Sequence, residues 1–254
     1  MEPRHIPLEG SLNLRDLGGY ETRDGRRIRM GCVFRSDELH TLTDTDLEKV
    51  AELGIRVLFD LRNADERAAR PNRLPDAIEV LERVTPSTGG PAHTTEEEIA
   101  SGRLPVADDE FFAGVYMTLL DLLGPELRVI LERAAEARAR PLLFHCAAGK
   151  DRTGIAAAVL LGLLGVPDAV ILDEFELTSR YFTPRRMERL APAMAEHGVT
   201  DEQLRPLLEA RRPVLAAALQ HVEERWGGFE GYAIDHLAVD RDLPDRLRAA
   251  LLRP

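Results

Sequence analysis

His145-Cys146-Ala147-Ala148-Gly149-Lys150-Asp151-Arg152-Thr153-Gly154 joins the apolar run Pro141-Leu142-Leu143-Phe144 to an apolar stretch that continues to Leu164. The run before it reads as a short buried strand, and the stretch after it as a buried helix. The backbone between them must turn tightly. Successive N–H groups in such a loop converge, and the start of the helix adds partial positive charge. Together they form a cradle for phosphate. Cys146 opens the loop, where the same field favours a thiolate; cysteines so placed titrate at roughly pH 3.5–7.5. A thiolate facing a bound phosphate is a nucleophile on phosphorus. Arg152 can return to the loop as a bidentate clamp on two phosphoryl oxygens. Thr153 can donate its hydroxyl to the sulfur. Gly149 gives the backbone a freedom that a side chain would deny. Cys146 and Arg152 are therefore candidate catalytic groups, with Ala147, Ala148, Gly149, Lys150 and Thr153 as candidate phosphate holders. Reading Cys146 as an ordinary core cysteine would leave Arg152 and the glycines as coincidences.

Strands and helices alternate on either side of this loop. Val33-Phe34-Arg35-Ser36 reads as a short strand, Ile55 to Leu61 as a buried one, and Ile78 to Val84 as one with a wetter face. Thr43 caps a helix running to about Leu53, with Asp44 and Asp46 in its first turn. Asp24-Gly25 marks a tight turn. Residues 85–108 read as a long mobile loop. Helices are predicted over 109–123, 125–138, 152–164 and 168–180. Beyond Thr183 the chain reads as helical, with breaks at Gly198, Pro213 and Gly227-Gly228. This order predicts an α/β fold, a central mainly parallel sheet of four or five strands flanked by helices, with a helical C-terminal region. Ligands in such sheets bind at the C-terminal strand ends. The strand ending at His145 thus points at the site.

The chain has 254 residues, 44% hydrophobic and 30% charged, with a formal net charge of −11. A chain of this size can bury about three quarters of its unfolded surface without a metal or disulfide. The acidic balance argues against nucleic-acid binding, which rests on Lys and Arg neutralising phosphates. A local basic pocket for an anionic substrate remains compatible with it. The longest near-apolar run, Ile155 to Val166, is too short for a membrane span of roughly 20 residues. No apolar core follows the N-terminal Met-Glu-Pro-Arg-His, so no secretory signal is read and a cytoplasmic location is expected. Export without a signal peptide remains open. The two cysteines make no disulfide framework, and no histidine pair has metal-ligand spacing. Only two lysines, Lys49 and Lys150, occur among 33 basic residues.

The loop, Cys-x5-Arg followed by Thr-Gly after a strand ending in His, resembles the protein tyrosine phosphatase superfamily. Its particular form resembles a bacterial branch of atypical phosphatases with tyrosine, dual-specificity and phosphoinositide activity. Members of that branch also carry Asn-x-Arg-Asp-Leu-Gly-Gly, matched by Asn13 to Gly19, an Arg-Ser pair, matched by Arg35-Ser36, and Asp-Leu-Arg, matched by Asp60-Leu61-Arg62. The motifs run in order between about residues 10 and 182.

The resemblance implies a single phosphatase domain over 1–254. Phosphomonoesters would be hydrolysed through a cysteinyl-phosphate on Cys146, with Arg152 stabilising the transition state. No cofactor and no metal is implied. Asp151 is the favoured general acid and Asp60 its competitor; both stay open from sequence. Arg62 is carried as a substrate contact, or with Asp60 as a structural ion-pair corner. Lys150 accompanies activity on multiply phosphorylated inositol lipids in the resembling branch. A phosphotyrosine protein is the expected substrate. A phosphoinositide or inositol phosphate is the alternative, and an inactive phosphate-binding module the further one. Residues 183–212 would form a helical lid, against ordinary packing on the sheet. Cys32 reads as a small core residue, with a redox partnership with Cys146 as the weaker reading. Arg15 and Asp16 tie the N-terminal loop either to the site or to itself. No integral membrane association is expected.

Overall fold

A computed structural model describes residues 4–82, 99 and 108–254. Seven strands are found among them: β1 (Arg15–Asp16), β2 (Arg27–Ile28), β3 (Val33–Ser36), β4 (Val57–Asp60), β5 (Glu79–Glu82), β6 (Leu142–His145) and β7 (Leu252–Arg253). Five form the central sheet in the order β1-β3-β6-β4-β5. The β3–β6, β6–β4 and β4–β5 pairs are parallel, and only β1 runs antiparallel, on the edge. The predicted mainly parallel sheet is therefore present with five strands. The two-stranded pairing of β2 with the C-terminal β7 was not read from sequence, because two residues carry no periodicity.

Neighbouring residues on the central strands point to opposite faces, as a pleat requires. Val33, Val57, Phe59, Leu142 and Phe144 enter one core, while Phe34, Leu58 and Leu143 enter another. The first core is the larger. Against it pack α3 (Asp109–Leu122), α4 (Gly124–Ala135), α5 (Asp151–Leu163), α6 (Asp168–Tyr181), α9 (Arg212–Trp226) and α10 (Leu243–Leu251). α5 is apolar nearly all round and is buried from Thr153 to Leu161, as a helix does when enclosed on every side. The second core is closed by α1 (Asp44–Glu52) and the N-terminal segment. Thr43 and Asp46 form a reciprocal cap at the start of α1, and Asn63 with Glu66 does the same for α2 (Ala64–Ala69).

A third, separate apolar cluster joins α7 (Thr183–His197) and α8 (Asp201–Leu208). Phe182, Met187, Leu190, Met194, Leu204 and Leu208 pack there with Leu12. The helix break assigned to Pro213 lies earlier, between Leu208 and Arg212. Pro213 sits in the first turn of α9, where its missing N–H has no intrahelical partner to lose. The predicted loop over 85–108 lies outside the described residues except for Ile99 and Asp108, the latter capping α3. Among the described residues, no helix is long and apolar enough to cross a membrane.

Candidate active site

Parallel register sets Ser36, His145 and Asp60 side by side at the C-terminal ends of β3, β6 and β4. Cys146 leaves β6 at this edge and is 2% exposed. The loop that follows is held by its carbonyls. His145 Nδ1 donates to Cys146 O at 3.1 Å, and Glu38 N to Ala147 O at 3.0 Å. Asn13 Nδ2 reaches Ala148 O and Gly149 O at 3.3 and 3.2 Å, and Arg35 Nη2 reaches Gly149 O at 2.6 Å. Gly149 takes a φ of +63°, and a Cβ there would stand 2.4 Å from Ser36 O. A side chain is thus refused by both conformation and space.

The loop amides have no comparable partners. Among the described residues, no acceptor meets the N–H groups of Ala147 to Thr153; the first bond of α5 is Gly154 N to Lys150 O at 2.7 Å. Backbone amides in a folded chain are nearly always paired, and a run of unpaired ones at a helix start is the kind of arrangement that receives anions. Thr153 Oγ1 is also buried without a partner.

Arg152 is directed from outside the loop. Its Nη1 and Nη2 meet Glu66 Oε2 and Oε1 at 2.6 and 2.7 Å, and Nη1 also donates to Leu61 O at 3.0 Å. Burial works against the guanidinium's charge, but the Glu66 carboxylate, with a smaller contribution from the neighbouring Cys146, outweighs it and raises Arg152 further. The same ion pair holds Glu66 below its ordinary value despite burial.

Beneath the loop lies a buried ionic frame. Glu174 accepts from Arg15 Nε and Arg35 Nη1, both at 2.6 Å, and all three side chains are at most 2% exposed. The two arginines hold Glu174 below its usual range against the opposing effect of burial. Burial and the Arg15 charge bring Arg35 down to about 10. Asp37 receives Ser11 Oγ at 2.5 Å and the amides of Leu12 and Asn13, which pins the N-terminal segment beside the loop. Arg15 thus ties to the site, whereas Asp16 bonds Gly18 N and Gly31 N within its own segment.

The two acid candidates stand in different surroundings. Asp60 is 2% exposed and meets Arg62 Nε and Nη2 at 2.9 and 2.7 Å and Asn72 Nδ2 at 2.9 Å. His145 Nε2 is 3.5 Å away, a long contact. Burial would raise Asp60, but His145 and Arg62 overcome it and keep the carboxyl far below its ordinary value. Arg62 also donates Nη1 to Arg70 O and Nη2 to Asn72 Oδ1 and is 1% exposed. The pair forms an ion-pair corner turned away from solvent. Asp151, at the first position of α5, has a side chain 32% exposed and accepts from Tyr116 Oη at 2.8 Å.

Lys150 was expected to extend positive charge toward additional phosphates. Its ammonium instead donates to Leu207 O at the end of α8 at 2.5 Å, lies 3.5 Å from Asp151 Oδ1 and sits 4.9 Å from the Phe112 ring centre. Its 4% exposure reflects this enclosure. The last carbonyls of a helix lack intrahelical donors, which is the physical reason a cation settles there. Ala148 packs against the α7–α8 cluster, so those helices touch the loop at two points. Cys32 precedes β3 at the opposite end of the sheet from Cys146. A four-residue strand spans roughly 13 Å, too far for a disulfide.

Glu66, Glu174 and Tyr116 were not read as site residues. A signal existed for Glu174: it shares a helical face with Ile171, Phe175 and Thr178, all buried. A carboxylate on such a face needs a buried cation. Glu66 was concealed by its second task as the capping partner of Asn63.

A family model described as the tyrosine phosphatase family matches residues 6–253. A putative tyrosine-protein phosphatase of Cupriavidus necator is 32% identical over 256 residues, covering 94% of this chain and 87% of the relative. A tyrosine-protein phosphatase of Nostoc commune is 30% identical over 213 residues, covering 81% and 69%. The triple specificity protein phosphatase PtpB of Mycobacterium tuberculosis is 28% identical over 288 residues, covering 99% and 100%.

Proposed function

The chain belongs to the tyrosine phosphatase family and is a cysteine-dependent phosphatase, and from that premise we propose how its own residues divide the work. Cys146 attacks phosphorus and carries the phosphate as a cysteinyl ester until water releases it. The unpaired amides of Ala147 to Thr153 hold the phosphoryl oxygens, and this run of amides is the observation that carries the reading. Arg152, aimed by Glu66, clamps two oxygens as charge develops. Thr153 supports the sulfur with its hydroxyl.

Asp151 is the general acid in this reading. Asp60 is fully engaged as an acceptor and held ionised by Arg62, so it has no proton to give. Arg62 is correspondingly assigned to the ion-pair corner rather than to substrate. The substrate class is a phosphotyrosine protein. The enclosure of Lys150 by Leu207 and Asp151 weighs against a lysine-directed preference for phosphoinositides. The whole chain acts as one domain, and α7–α8 act as a lid that shields the sulfur from oxidants.

Initial rates on a phosphotyrosine peptide, a phosphoserine peptide and short-chain phosphoinositides test the assignment, with wild type and Cys146→Ser compared without metal. Turnover that depends on Cys146 and is fastest on phosphotyrosine is expected. Dominance of phosphoinositides would overturn the substrate class, and release that persists in Cys146→Ser would overturn the nucleophile. Removing residues 184–212 from a chain that still folds should hasten inactivation by peroxide; unchanged sensitivity would refute the lid.

A further inference from the structure

The two carboxylate oxygens of Asp151 are not equivalent. Oδ1 accepts from Tyr116 Oη at 2.8 Å and stands 3.5 Å from Lys150 Nζ. Oδ2 accepts no hydrogen bond among the described residues. Tyr116 comes from α3 and is 1% exposed, with its ring set edge-on against Phe175 at 6.0 Å between centres. Burial and the neighbouring Asp151 carboxylate push its phenol well above the ordinary value. Tyr116 therefore remains an O–H donor throughout the range in which a phosphatase works. A carboxylic acid with one oxygen occupied by donors carries its proton on the other.

Resting on the assignment of Asp151 as the acid, we infer that Tyr116 is a positioning residue that orients the Asp151 carboxyl so that Oδ2 carries the transferable proton. As the S–P bond forms and the P–O bond breaks, the Oδ2 proton passes to the leaving oxygen and Asp151 becomes a carboxylate. In the second step water attacks phosphorus and gives a proton back to Oδ2, while the S–P bond breaks and returns the thiolate. Tyr116 keeps its own proton throughout. Without its hydroxyl, the carboxyl could rotate and offer either oxygen, and proton transfer is sensitive to such misorientation.

The test compares Tyr116→Phe and Asp151→Asn with wild type on two aryl phosphates. Phenyl phosphate leaves as a basic phenolate and needs the acid; para-nitrophenyl phosphate leaves as a weakly basic one and needs it little. Tyr116→Phe should lower kcat/KM, which reports the step that expels the leaving group and not the later hydrolysis common to both substrates, by about tenfold on phenyl phosphate, the scale of one lost hydrogen bond. On para-nitrophenyl phosphate it should stay within about twofold, which also reports an intact, folded site. Asp151→Asn should show the same selectivity at about 100-fold or more. Equal loss on both substrates in Tyr116→Phe would mean a merely structural role and overturn the inference, as would no loss on either. Asp151→Asn without selectivity would instead overturn the acid assignment beneath it.

Discussion

The floor and the roof of the phosphate loop are built from different materials. Below it, Arg15, Arg35 and Glu174 form a charged triad sealed from water, and Arg35 ends on a loop carbonyl. Above it, α7 and α8 pack through a small apolar cluster of their own, with proline inside each helix and the Lys150 ammonium of the loop reaching up to α8. Charges in a dry interior have few alternative arrangements, because breaking any pair leaves an uncompensated ion. Apolar contacts are non-directional and tolerate sliding. The floor is thus suited to holding the loop in one shape, and the roof to moving. Within the proposed chemistry that division is useful: the amides must stay aimed while substrate enters and leaves.

Breaking the floor should have the largest effect. Glu174→Ala leaves two buried arginines facing each other and is expected to cost about 3–5 kcal/mol of stability. A chemical denaturation midpoint measures this directly, and a cost no greater than a surface substitution would refute the rigid-floor reading. Acid offers a second way to break it. Glu174, Glu66 and Asp60 all have folded-state values below their ordinary ones. Each contributes stability that is complete above the unfolded carboxylate range near pH 4 and lost as pH falls toward the folded value. Asp37, pushed up by burial, opposes that slope. The net expectation is stability that declines below about pH 4, and equilibrium unfolding at stepped pH should show a shallower decline in Glu66→Gln.

The floor also shows where sequence reading succeeds and stops. The loop was legible because each residue type answers a local need: Cys146 for attack, Gly149 for a positive φ, Arg152 for a planar clamp. The sheet was legible because Val57 to Asp60 and Leu142 to His145 are short, apolar and bounded. Glu174 was not, since its partners lie 159 and 139 positions away and pairing at that range has no period. The surroundings of Lys150 were hidden for a related reason. Its charge suggested an anion, but the nearest negative end was the C-terminus of α8, placed there only by the fold.

A change in the roof should be smaller and local. Leu190, 2% exposed, lies in the separate α7–α8 cluster. Leu190→Ala is expected to cost about 2 kcal/mol, the lower end for such truncations, because a loosely tethered pair of helices can collapse around the gap. The loss should appear as local opening rather than global unfolding. Hydrogen exchange would then accelerate over 183–208 while amides of β6 and α5 keep their protection. Acceleration spread evenly over the sheet would mean that roof and floor are one cooperative unit.

The smallest effect should come from the Lys150–Leu207 hydrogen bond, which joins roof to loop. Lys150→Met keeps the length and apolar body of the side chain but removes the donor to Leu207 O. The carbonyl is at a helix end and can turn to water, so the global stability should hardly move. The local opening of α8 should become easier by about 1.4 kcal/mol, the scale of a charged hydrogen bond, or about tenfold in the open population. Arg185, Arg186 and Arg189 of α7, which packs on α8, supply the readout, since trypsin cleaves after arginine only in an opened segment; Arg205 precedes Pro206 and resists it. Cleavage there about tenfold faster than in wild type, at an unchanged denaturation midpoint, would identify Lys150 as the latch of the roof. An unchanged cleavage rate would mean that the apolar cluster alone holds α7 and α8 down, and that Lys150 is at liberty to serve substrate.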